Sequence, residues 1–219
     1  MKVITINFHG DNNIGLFGKA CDKFCLVSNL LEEKKLKIIR DTLKVDVFSL
    51  TLAETELVGL FCAFNSNGIL LPKIVNQKEI EAIKKIGINV EILKTKFTAL
   101  GNLILCNDKG ALISDVFSKI EKKKIENCLG VESEYSKLAG LSTPGSCGIS
   151  TNKGCVVHRD CNDEEVEKVK SLLKVKVGVG TINFGSPFIG SGIIANSNGI
   201  LAGSLTTAPE MENLIEVLG

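Results

Sequence analysis

Apolar and polar positions follow one order that recurs along the chain. A short β-branched run comes first, such as VDVFSL from Val45 or VKVGVG from Val175. An irregular stretch follows and ends at a glycine. A second apolar run then enters a polar turn and a third leaves it, the pattern of a β-hairpin. Behind the hairpin, apolar residues return at helical spacing: Ile80, Ile83 and Ile86 in one copy, Val166, Val169, Leu172 and Leu173 in another. Thr207 with Glu210 three residues on, and Pro209 in the first turn, marks a helix start. Asn162 or Asp163 can cap the helix before it. Each copy therefore predicts strand, hairpin, strand and helix.

The hairpin turns set the register of the repeat. The hexapeptide NSNGIL stands at Asn65–Leu70 and again at Asn196–Leu201. CNDKGAL and STNKGCV place related turns at Gly110 and Gly154, so the turn glycines lie 42, 44 and 45 residues apart. One step before Gly68, ACDKFCLV keeps the polar approach but has Phe24 where the glycine belongs. Nine residues before each turn position stands another glycine: Gly15, Gly59, Gly101, Gly145 and Gly190. Five units follow, 1–44, 45–86, 87–130, 131–175 and 176–219, and they use the whole sequence as one domain. A single unit cannot bury its own apolar face, and the first and fifth are as apolar as the rest. Closing the row removes the need for polar end caps. The expected architecture is an α/β, five-fold pseudosymmetric closed ring. In it the five glycines are expected at equivalent strand starts, on one face.

Composition narrows the chemistry. The chain is 44% hydrophobic with a net charge of +1, so it can bury a core and carries no overall field toward nucleic acid. Only two of its 26 basic residues, Arg40 and Arg159, are arginines, which argues against sequence-specific DNA reading. No N-terminal apolar run resembles a signal peptide, and seven glycines interrupt the long uncharged stretch Val177–Pro209. A cytoplasmic protein with no membrane contact is expected. The eight cysteines form no C-x-x-C pair and only His9 and His158 could join them, so no metal site or other cofactor is expected. The thiols read as small, reduced hydrophobes.

Several stretches resemble archaeal and eukaryotic translation initiation factor 6: Asp22–Val27, Asn65–Pro72, Thr98-Ala99-Leu100-Gly101-Asn102, Cys106-Asn107-Asp108, Val179–Asn183 and Gly185-Ser186. The resemblance covers essentially the whole chain. It implies the pentein fold, the five-bladed α/β-propeller ring. It also implies binding to the intersubunit face of the large ribosomal subunit, against a ribosomal protein beside the sarcin–ricin loop RNA. Members of the family there block the small subunit by occupying its place, with no catalysis and no cofactor. A monomer is expected, since a closed ring leaves no obvious patch for dimerisation.

Charge falls mainly in the helices, whereas Leu138–Asn152 and Val177–Pro209 carry none. Charge depletion marks interface cores. The five register glycines are expected on one face, and the resemblance implies that the ALGN stretch with Gly101-Asn102 is on the ribosome-facing side; the candidate ribosome-binding residues are Gly15, Gly59, Gly101, Asn102, Gly145 and Gly190, with Thr98 and Asn183 beside them. The competing reading of the glycines is structural, a tight bend near the axis. Two other functions remain to be weighed. Some pentein rings are guanidino-modifying enzymes with a Cys nucleophile and a His. Here Cys155 and His158 have an odd spacing that puts them on opposite faces of a strand, and Cys161 is expected at a helix start that favours thiolate. A ring can also serve as a scaffold for a non-ribosomal partner.

Overall fold

The computed structural model describes Met1 to Gly219. Strand β1 (Lys2–Ile6) precedes the first of four one-turn helices, α1 (Ile14–Phe17). The hairpin β2 (Gly18–Ala20) and β3 (Phe24–Ser28) follows, then the outer helix α2 (Glu33–Leu43) and strand β4 (Asp46–Leu50). The second round is α3 (Val58–Phe61), β5 (Ala63–Phe64), β6 (Gly68–Pro72), α4 (Gln77–Lys84) and β7 (Asn89–Leu93). The third is α5 (Leu100–Leu103), β8 (Ile104–Cys106), β9 (Ala111–Ile113), α6 (Lys119–Leu129) and β10 (Ser133–Tyr135). The fourth is α7 (Pro144–Cys147), β11 (Gly148–Ser150), β12 (Gly154–His158), α8 (Asp163–Leu173) and β13 (Lys176–Gly180). A 3₁₀ turn (Ile189–Ser191), β14 (Ile193–Asn196), β15 (Gly199–Gly203) and α9 (Ala208–Leu218) complete the chain.

Each round makes one three-stranded sheet, or blade. The hairpin strands pair antiparallel, and the strand after the outer helix returns parallel to the second of them. That parallel strand opens the next repeat of the sequence, so consecutive repeats interlock. In the fifth blade the place is taken by β1, which pairs with β15 from Lys2↔Gly199 to Ile6↔Gly203 and closes the ring. This is the α/β pentein ring that the repeat predicts.

The middle strand of every blade is buried along its length, which is why FCLV, GILL, GCVV and GILA are apolar without alternation. Its side chains still alternate between two cores. Phe24 and Leu26 enter the core toward the second blade, while Cys25 and Val27 enter the core toward the fifth. Five such cores, each between neighbouring blades, hold the ring together. The outer helices cover them and are capped as the sequence indicates: Asn76, Ser118, Asn162 and Thr207 each form a capping box with the glutamate three residues on. Of the two candidates in the fourth repeat, Asn162 is the cap. Ile86 lies beyond the last turn of α4.

The repeated turn owes its asparagine to two tasks. Inside the turn, Asn196 Oδ1 accepts from the backbone N–H groups of Asn198 (3.0 Å) and Gly199 (3.2 Å). Outside it, Asn196 Nδ2 donates to the carbonyls of Cys21 (3.1 Å) and Leu43 (2.9 Å) in the first blade. Asn65 and Asn107 make the equivalent four bonds toward the third and fourth blades. These amides are almost fully buried, and leaving one such partner unsatisfied costs about 1–3 kcal/mol. Asn and Gly in such a turn favour positive φ, but that is not why the turn glycine is there. Gly68, Gly110, Gly154 and Gly199 have none. A Cβ on Gly68 would instead lie 2.0 Å from the carbonyl oxygen of Cys128, at the end of α6, and the other three press on helix ends in the same way. Phe24 escapes this because the helix facing it, α4, has 8 residues where the other outer helices have 11. The ring of Phe24 stacks on Phe64 there, with centroids 4.9 Å apart.

Candidate functional site

The first strand of each hairpin leaves a one-turn helix and ends at the hairpin turn. The short helices and the turns therefore lie at opposite ends of the ring, and the two faces differ. On the turn face, polar side chains satisfy one another. Ser66 and Asn152 donate to Asp108, while Ser197 and the same Asn152 amide donate to Asp22. Lys109 is spent on the carbonyls of Asn152 (2.9 Å) and Lys174 (3.2 Å). On the helix face stand eight of the eleven large apolar side chains that are exposed: Leu30, Ile74, Val116, Ile120, Leu141, Phe184, Phe188 and Leu205. That asymmetry makes the helix face the candidate binding surface.

At its centre the five glycines meet. They stand in the one-turn helices and the 3₁₀ turn, three or four residues before the strands, rather than at the strand starts expected from the sequence. Each points the hydrogen that replaces Cβ at the carbonyl of the preceding glycine. A Cβ on Gly59 would lie 2.0 Å from Gly15 O, on Gly101 1.9 Å from Gly59 O, and on Gly145 2.1 Å from Gly101 O. Gly190 meets Gly145 O at 2.1 Å and Gly15 meets Gly190 O at 2.2 Å, which completes the circle. Of the five only Gly190 is not fully buried. Packing thus accounts for these glycines. From inside the ring, Lys19 Nζ reaches across to Gly101 O at 3.3 Å.

The residues after the glycines look outward. Leu16, Leu60, Asn102, Ser146 and Ser191 are all half-buried and surround the axis. The hydroxyls of Ser146 and Ser191 turn back to the carbonyls of Thr143 and Phe188, both within 2.9 Å. Asn102 is the one side-chain amide of this circle. Thr98 is half-buried four residues earlier, and its carbonyl accepts from Leu100 N. Asn183 is engaged internally: Nδ2 donates to Asn12 O at 2.8 Å, and Oδ1 accepts from the Thr206 hydroxyl at 3.3 Å.

Around this centre, four loops turn through paired left-handed residues: His9-Gly10, Ala53-Glu54, Ala139-Gly140 and Asn183-Phe184-Gly185. Buried glutamates from the capping boxes hold two of them. Glu79 accepts from Ala53 N, Glu54 N and the Thr51 hydroxyl. Glu210 accepts from Phe184 N (3.2 Å), Gly185 N (2.8 Å), the Thr181 hydroxyl (2.8 Å) and Thr207. Burial pushes the Glu210 carboxyl up, but the bonds from Thr207, Gly185 and Thr181 outweigh it and bring it from 4.5 down to about 2. A carboxyl depressed on folding contributes stability above its unfolded pKa and loses it as pH falls through the folded one. We expect the unfolding free energy of the parent to exceed that of Glu210→Gln by up to about 3 kcal/mol at pH 7, closing between about pH 4.5 and 2. Urea titrations across that range measure the gap, and a gap independent of pH refutes the assignment.

The sequence register could have found more of this face. Leu30, Ile74, Val116 and Leu205 occupy one repeat position, two residues before the cap of each outer helix, with Asp160 in the fourth blade. Their spacing follows the glycine register, but a single exposed aliphatic carries no local signal.

Cys155 and His158 do not come together. Cys155 lies in the core between the third and fourth blades, while His158 leaves the other side of β12 and meets Phe188 edge-on at 6.0 Å, the separation that strand alternation predicts. Cys161 precedes the helix cap instead of starting the helix. Burial and the Glu165 carboxylate push its thiol up to about 12, so the expected gain in thiolate does not occur. All eight cysteines are free. No group of side chains could hold a metal, and no helix is long and apolar enough to cross a membrane.

The model of the eIF-6 family matches residues 3–217. Translation initiation factor 6 of Pyrococcus horikoshii is 45% identical over 225 residues, spanning 100% of this chain and 99% of the relative. The factor of the same name from Saccharolobus islandicus is 39% identical, over 100% of both chains. That of Staphylothermus marinus is 37% identical, over 96% of this chain and 95% of its own. With its five interlocked blades and a family match from end to end, the chain belongs to the eIF-6 family of translation initiation factors.

Proposed function

We propose that the protein binds the large ribosomal subunit through the face of the one-turn helices and thereby keeps the small subunit from joining. The observation that carries this reading is the concentration of exposed apolar side chains on that face, while the turn face is polar and internally bonded. Obstruction needs only a body held in place, so the protein supplies binding and no chemistry. Its thiols, held protonated by burial, fit that role. Of the residues expected at this interface, Thr98, Asn102 and Gly190 are exposed enough to be the proposed contacts. Gly15, Gly59, Gly101 and Gly145 are buried and would contribute by letting the one-turn helices close around the axis, and Asn183 by holding its loop to Asn12 and Thr206.

Sedimentation with purified subunits tests the proposal. The protein should travel with the large subunit and reduce the joined particle when the small subunit is added. Of the lysines that could reach phosphate, Lys94 and Lys96 are exposed beside the helix face, whereas Lys109 lies on the other. Few phosphate contacts imply a shallow dependence of affinity on salt. A slope of many ions, or no co-sedimentation at low salt, goes against this reading.

A further inference from the structure

Phe184 is the most exposed large apolar residue of the chain, at 81%. It sits on the longest of the four left-handed loops, where φ is +63° for Phe184 itself and +52° for Asn183. A β-branched or aromatic residue rarely adopts that conformation unless its surroundings impose it. Here they do. The N–H groups of Phe184 and Gly185 are both held by Glu210, and Asn183 is tied to Asn12. The corresponding tips carry Gly10, Glu54 and Gly140, so only the fifth blade presents a large apolar side chain this way. A rigidly presented, solvated phenyl ring is unfavourable in isolation and favourable once covered.

The surroundings indicate what covers it. Leu205, Phe188 and Leu141 are exposed on the same side of the ring, and no charged residue occurs between Val177 and Pro209. At the border of this sector Lys137 pairs with Asp115 at 3.3 Å, Arg159 lies 3.7 Å from Asp160, and Lys35 donates to the carbonyl of Asn7 at 2.9 Å. A phosphodiester backbone would find little positive charge here, whereas an apolar hollow on a protein would find a preformed knob. We propose that Phe184 is the aromatic anchor that seats the fourth and fifth blades in an apolar pocket on a protein component of the large subunit. This inference rests on the ribosome-binding reading above and names the kind of contact made in one sector of it.

The test uses the full chain and purified large subunits, with Phe184→Ala and Phe184→Lys measured at low and moderate salt. Phe184→Ala should fold as the parent does and bind at least about tenfold more weakly with an unchanged salt slope. Phe184→Lys should bind no better than the alanine variant. A photoreactive phenylalanine at position 184 should label a ribosomal protein. If the parent binds and Phe184→Ala stays within about twofold of it, Phe184 is no anchor and the broader reading survives. Tighter binding by Phe184→Lys with a steeper slope, or label on ribosomal RNA, overturns the protein pocket. If the parent itself does not bind, the broader reading fails first and this inference goes with it.

Discussion

Gly101→Ala is expected to fold poorly or not at all. The new methyl group would stand 1.9 Å from Gly59 O and 2.9 Å from both Cys62 O and Leu60 O. These are backbone atoms in a closed ring, so no rotamer change relieves the clash. Moving Gly59 away would press its helix on that of Gly15, which presses in turn on the Gly190 turn. Ordinary overpacking costs about 1–3 kcal/mol because side chains yield. A ring of backbone contacts yields less, and a loss above about 4 kcal/mol is expected. In a chain of this length that lowers the melting temperature by roughly 10 °C or more. Gly10→Ala is the control, since nothing lies within 4 Å of the added methyl and only its φ of +87° resists the change. If Gly101→Ala melts within a few degrees of the parent, the five-glycine contact does not hold the ring together.

Asn102→Arg should give the opposite pattern, a folded protein that no longer binds. Asn102 is half-buried and follows Gly101 in the same one-turn helix, with its side chain outward. The guanidinium can reach solvent, so thermal unfolding should change little. At the centre of the proposed interface it would set an unpaired, bulky charge where the surrounding circle is Leu16, Leu60, Ser146 and Ser191. A central contact is worth about 2 kcal/mol or more, so affinity for the large subunit should fall at least about 30-fold. Normal binding by a well-folded Asn102→Arg protein would remove the axis from the interface. Together the two substitutions should separate neighbours, Gly101 through the fold and Asn102 through binding.

Repetition made the architecture legible. The turn asparagines, the nine-residue offset of the glycines and the cap of α9 each fix a position, and together they fix five blades. What stayed hidden has physical reasons. The stretch Ile14-Gly15-Leu16-Phe17 is four residues long, too short for helical periodicity to separate it from a strand entry. The pairing of β4 with β3 joins residues across a whole outer helix, and nothing local in Asp46–Leu50 says which blade it completes. The glycine at Gly68 resembles a turn glycine, yet its cause is a helix end 60 residues later in the chain. The candidate site was legible at its centre, through ALGN, and illegible at its rim. Phe184 lies within an uncharged stretch that marks the region, but its left-handed backbone and the hold of Glu210 appear only in three dimensions.

The pairing of β1 with β15 also sets an order of events in time. Synthesis runs from Lys2–Ile6 toward Gly199–Gly203, yet these two segments are partners. At roughly 5–20 residues per second, the first strand waits on the order of ten seconds or more for its neighbour to be synthesised. Four blades can assemble during that interval, each from residues already available. The fifth cannot, and until it does β1 lies unpaired. The strand of the ring that is translated first is among the last to be placed.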